Sequence, residues 1–92
     1  MLRFEVDSVQ RTKRGATIPG RIVEGILRVG SAFSSMEATE GVLIPIRCTV
    51  EEISAYGHTF KELERGMTAL ITVSGDHLEH LRANVVLVQG NE

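Results

Sequence analysis

The 92-residue chain has no tryptophan, one tyrosine (Tyr56) and three phenylalanines (Phe4, Phe33, Phe60). A core with so few rings must rely on Val, Ile and Leu, and few rings are left to stack on nucleobases or sugars. Sequence-specific readout of single-stranded RNA, which interleaves basic and aromatic residues, is thereby disfavoured. A lone cysteine, Cys48, excludes an internal disulfide, and small secreted domains usually carry several. The expected compartment is therefore the reducing cytoplasm. Long apolar runs are missing too: Val42–Ile46 and Val85–Val88 fall far below the roughly 20 residues that span a bilayer. The first seven residues carry charges where a signal peptide needs an apolar stretch. Neither export nor membrane insertion is expected.

Net charge is −2, so there is no general pull toward polyanions. The charge is unevenly distributed. Residues 1–34 hold six basic residues against three acids, and residues 35–92 hold four against nine. Arg11, Lys13 and Arg14 form the sharpest basic cluster, placed in a loop after the first strand, and Arg21 and Arg28 follow it. As a group they could attract phosphates by Coulomb forces, with steep salt dependence. The plainer reading is a solvated loop and ordinary strand faces.

What the sequence has in quantity is alternation at period two, the strand signature. Leu2, Phe4 and Val6 alternate with Arg3 and Glu5; Val42, Ile44, Ile46, Cys48 and Val50 alternate with Leu43, Pro45, Arg47, Thr49 and Glu51. Met67, Ala69, Ile71 and Val73 do the same, and the segment between Asn84 and Gln89 is apolar on both faces. Nine glycines punctuate these runs, with Gly20, Gly25 and Gly30 spaced five apart while the apolar phase slips. That combination predicts a bulge or sharp bend. Gly30-Ser31 reads as a tight hairpin turn, and Glu40-Gly41 as the next turn.

Two segments leave the β pattern. Thr59 and Glu62 stand at capping-box spacing ahead of Gly66, and Asp76 stands as N-cap three before Glu79; each predicts one helical turn. The expectation for residues 1–92 is one all-β domain: a small closed antiparallel β-barrel of about six strands with one or two short helical turns. Closure removes the exposed edges of a strand-rich chain.

Residues Phe4, Val6, Asp7 and Val9, then Gly20-Arg21-Ile22, Gly25, Leu27 and Val29-Gly30, resemble the opening of the β-barrel second domain of translational GTPases such as elongation factor Tu. Val50-Glu51-Glu52-Ile53, Gly57, Leu63, Gly66-Met67, Ala69-Leu70-Ile71, Val73, Gly75 and Val85-Val86-Leu87 extend the resemblance over nearly the whole chain. It implies a translation-protein barrel standing without its GTPase domain. No glycine precedes a lysine, so the P-loop pattern is absent, as is the guanine-reading Asn-Lys-x-Asp pattern. GTP binding by this chain is not expected. Arg11–Pro19 is more basic than the family's glycine-rich approach to this element and contains a proline, so the family's tRNA and ribosome contacts are not carried over residue by residue.

Asp76-His77-Leu78-Glu79-His80 holds the only cluster of metal-ligating types, with His77 and His80 on one face of a turn and His58 or Cys48 as distant partners. An exposed polar turn is the plainer account. Cys48 falls in phase with core positions, which argues against a reactive thiol. The functional expectation is a non-catalytic module that recognises another protein and needs no cofactor. The alternative is a ribosome- or RNA-associated module using Arg11, Lys13 and Arg14. Exposed apolar patches would also permit a homodimer.

Overall fold

A computed structural model describes residues 1–38, 41–76 and 78–89. Among the described residues there are ten strands: β1 (Arg3–Val6), β2 (Gln10–Arg11), β3 (Gly15–Glu24), β4 (Ile26–Arg28), β5 (Ala32–Glu37), β6 (Leu43–Ala55), β7 (His58–Phe60), β8 (Glu62–Glu64), β9 (Thr68–Asp76) and β10 (Val86–Val88). Six of them close a ring through antiparallel pairs in the order β1-β10-β5-β6-β9-β3 and back to β1. The all-β closed six-strand barrel expected from the alternation is the observed fold. No helix among the described residues is long and apolar enough to cross a membrane.

The alternation sorts the chain into a core and an outer face. β3 turns Ala16, Ile18 and Ile22 inward, β9 turns Ala69, Ile71 and Val73 inward, and β6 contributes Ile46, Cys48 and Val50. A bulge between Val50 and Glu52 then leaves Glu51 and Glu52 both exposed and resets the phase, so that Ile53 returns to the core. A second register shift, between Phe33 and Ser35 with the extra residue on β6, lets Phe33 and Met36, three apart, both point inward. Each fully buried Leu, Ile or Phe contributes about 1.5–3 kcal/mol, and these residues carry most of the driving force. Val85, Leu87 and Val88 are all buried, in keeping with a last strand apolar on both faces.

The bend predicted near Gly20 and Gly25 is where the barrel closes. Gly20 lies opposite Val6, and a Cβ there would sit 2.1 Å from the Glu5 carbonyl oxygen and 2.6 Å from the Phe4 ring. Gly25, at φ 82°, ends β3 and starts β4, which leaves the barrel to pair with β8. The Gly30-Ser31 turn is present, with the Ser31 N–H donating to the Arg28 carbonyl at 2.9 Å. It is not a hairpin, because β4 pairs with β8 and β5 pairs with β6. Gly41 takes the positive φ of a turn; Glu40 lies outside the described residues.

The helical turn expected at Thr59–Gly66 does not form. These residues make β7 and β8 instead, pairing Phe60 with Ile53 and Leu63 with Leu27. One isolated turn carries the full nucleation cost of a helix, whereas the extended form gains ladder bonds and buries Leu63. The second expected turn is a single 3-10 turn at Leu78–His80. Asp76 is not its N-cap: it ends β9, opposite Arg47.

Candidate functional site

The five basic residues singled out from the sequence do not form one surface. Arg11 is bound into the fold: Nη1 donates to the Leu78 carbonyl at 2.7 Å, and Nη2 donates to the carbonyls of Glu79 at 3.3 Å and Leu81 at 2.8 Å. It ties β2 to the 3-10 turn and holds Leu78 and Leu81 in the core. Lys13 and Arg14 are exposed in the β2–β3 turn, which is closed by the Thr12 N–H donating to Gly15 at 3.0 Å. Arg21 is on the outer face of β3, six positions beyond Gly15 and so about 20 Å from that turn. It lies opposite Glu5 on one side and Thr68 on the other. Arg28 stands on the separate β4–β8 ribbon, with Nε 3.8 Å from the Glu62 carboxylate.

Other cations join Lys13 and Arg14 in place of Arg21 and Arg28. Gly15 lies opposite Ser74, Asp76 opposite Arg47, and the chain then passes through the 3-10 turn to Arg82. Arg47 and Arg82 thus reach the same end of the barrel as the basic turn, and both are exposed. Their convergence depends on strand register, so local sequence gives no sign of it.

Among the described residues, no three His, Cys, Asp or Glu side chains are grouped to hold a metal ion. His77 lies outside the described residues, and His80 is exposed. Cys48 is 1% exposed, and burial pushes its thiol up to about 11, against a smaller lowering by a hydrogen bond to the Phe33 backbone. Packed among core residues, the thiol is closed off from solvent.

The opposite end of the barrel carries a feature that the sequence reading missed. β6 and β7 are joined by a two-residue turn, Tyr56-Gly57, with Ala55 opposite His58. Both turn residues have positive φ, 52° and 78°. This is the I′ geometry that matches strand twist, normally filled by Asn-Gly. A tyrosine in the left-handed region costs about 1 kcal/mol through contact of its Cβ with the following carbonyl. The Tyr56 side chain is not repaid by burial, being 73% exposed. It stands at the margin of a groove of about 410 Å³ whose floor is Ser54, Leu70, Pro19 and Gly20 and whose far margin includes Asp7. Leu70, on the outer face of β9, is 40% exposed. The volume lies within the roughly 300–1,000 Å³ range of ligand clefts. Only the pairing of Tyr with Gly at the turn hinted at the site, since its other members come from residues 7, 19, 54 and 70. No protein-family model matches the chain, and a search of curated proteins finds no match.

Proposed function

We propose that this chain is a non-catalytic binding module that recognises another protein through the groove beside Tyr56. The observation that carries the reading is the conformation of Tyr56. The turn would be more stable with asparagine, yet an aromatic ring is held in a strained backbone state, exposed, at the margin of an apolar groove. Residues kept in sparsely populated backbone regions cluster at ligand-binding sites. Tyrosine is also among the side chains that dominate binding energy at protein interfaces. We further read the module as a cytoplasmic barrel of the translation-factor type, on the glycine spacing of residues 20–30 and the resemblance built around it.

A second reading, attachment to RNA or the ribosome, is favoured by one observation: Lys13, Arg14, Arg47 and Arg82 lie at the other end of the barrel, with Asp76 opposite Arg47. Photo-crosslinking in the native host separates the two. p-Benzoylphenylalanine is placed at position 56 in one version of the full chain and at position 14 in another. The protein-recognition reading expects one dominant, nuclease-resistant protein adduct from position 56. Adducts only from position 14, sensitive to nuclease, would overturn it in favour of the second reading. A homodimer is a further occupant of the groove, recognised as a crosslinked pair of this chain from position 56.

A further inference from the structure

The groove also specifies what kind of protein segment fits it, an inference that rests on reading the groove as the working surface. Its floor runs across the strands. Ser54 on β6 lies opposite Leu70 on β9, Leu70 lies opposite Pro19 on β3, and the Asp7 N–H donates to the Pro19 carbonyl at 2.9 Å. Four successive positions at strand spacing put Ser54 about 14 Å, and Leu70 about 10 Å, from Asp7.

The floor offers no backbone to an incoming strand. Each of its three strands is already paired on both sides at this level: β6 with β9 and β7, β9 with β6 and β3, β3 with β9 and β1. Recognition by adding a strand is therefore excluded here, and the occupant has to bind through its side chains.

The chemistry is polarised along the row. Tyr56 and Leu70 present apolar surface at one end, Pro19 lies half-buried in the middle, and the exposed Asp7 carboxylate closes the other. Among the described residues no cation lies within 4.0 Å of Asp7. Arg21, the nearest basic residue by register, is two positions along β3 from Pro19 and opposite Glu5.

A polyproline-II segment meets all three conditions. It exposes a solvated backbone that seeks no ladder partner, and it is preorganised, so little entropy is lost on binding. Its three-residue turn at 3.1 Å per residue brings positions i and i+3 onto one face about 9 Å apart, close to the Leu70–Asp7 separation. We propose that the groove takes a proline-rich polyproline-II segment of a partner protein. A proline or other apolar residue packs between Tyr56 and Leu70, and a lysine or arginine three positions away meets Asp7.

The test pans random 12-residue peptides against the full chain, then measures enriched peptides by fluorescence anisotropy. The expected consensus is Pro or another apolar residue, two free positions, then Lys or Arg, binding at about 10–100 µM. Asp7→Asn should weaken these peptides about tenfold, and replacing the peptide's basic residue by alanine should cancel that loss, the mark of direct coupling. Peptides without a basic residue at that spacing, undiminished binding to Asp7→Asn, or no enriched peptide would each overturn the inference. Tyr56→Asn separates the two levels. If it still weakens enriched peptides lacking the motif, the groove reading stands and only this occupant falls. Enriched peptides that bind Tyr56→Asn as tightly as the wild type overturn both.

Discussion

Replacing Gly20 with alanine probes the joint that closes the barrel. The added methyl would lie 2.1 Å from the Glu5 carbonyl oxygen and 2.6 and 2.9 Å from two carbons of the Phe4 ring. Real Cβ contacts stay outside 3.0 Å, so β1 has to move by close to an ångström. The obstacle is backbone plus a ring that is 0% exposed, neither of which swings aside. Moving β1 strains its pairing with β3 and with β10 together, because it is the strand between them. Overpacking of this kind costs about 1–3 kcal/mol, occasionally more, and alanine returns about 0.4–1 kcal/mol by restricting the unfolded chain. With a backbone carbonyl as the obstacle the upper end of that cost applies, and a net loss of about 2–2.6 kcal/mol follows, roughly 8–21 °C in Tm. Circular dichroism melts and urea titrations of Gly20→Ala give the value. Gly41→Ala is the control: it has a positive φ but nothing among the described residues within 4 Å, so it meets the backbone penalty alone, about 1 kcal/mol. If Gly20→Ala melts no lower than Gly41→Ala, the close approach of β1 to β3 is refuted.

Other consequences can be checked on the same purified protein. Arg11→Ala, which removes three hydrogen bonds to carbonyls of residues 78–81, should cost about 1–2 kcal/mol and speed amide exchange at Leu81; Lys13→Ala should change stability by under about 0.5 kcal/mol. The thiol of Cys48 should resist Ellman's reagent in the native state and react at once in denaturant. Its folded pKa, about 11, lies above the ordinary 9.0, so above pH 9 the unfolded state releases the proton first. Stability contributed by the neutral thiol should thus fall between about pH 9 and 11, seen as a falling urea midpoint that Cys48→Ala abolishes. Tyr56→Asn should raise Tm by about 4–8 °C, because asparagine accepts the left-handed turn that tyrosine resists.

The barrel was legible because its signals are local. Alternation in residues 44–50 and 67–73 marked the core face, although Val42, in the same phase, is exposed, and Gly20 marked a bend before its partner strand was known. The segment from Thr59 to Gly66 was misread because a capping-box spacing and a pair of three-residue strands share the same residues. Only the location of Ile53 and Leu27 decides between them. The basic residues were legible as charges but not as roles. Arg11 serves the fold through carbonyls 67 to 70 positions away, and Arg21 and Arg28 lie apart from the turn they were grouped with. The groove was invisible for the same reason: Asp7, Pro19, Ser54 and Leu70 meet only through register, and no residue of the set is unusual alone. Tyr56-Gly57 came nearest to a signal, as a turn where the expected Asn-Gly is replaced by an aromatic residue.

The most direct test of the binding account is to measure stability and affinity of Tyr56→Asn together, against the protein captured by crosslinking from position 56. The account predicts that the two move in opposite directions: Tm rises while affinity falls at least about tenfold, the loss of an interface aromatic. A variant that is more stable and binds its partner as tightly as the wild type would contradict it, since the strained ring would then serve no recognition.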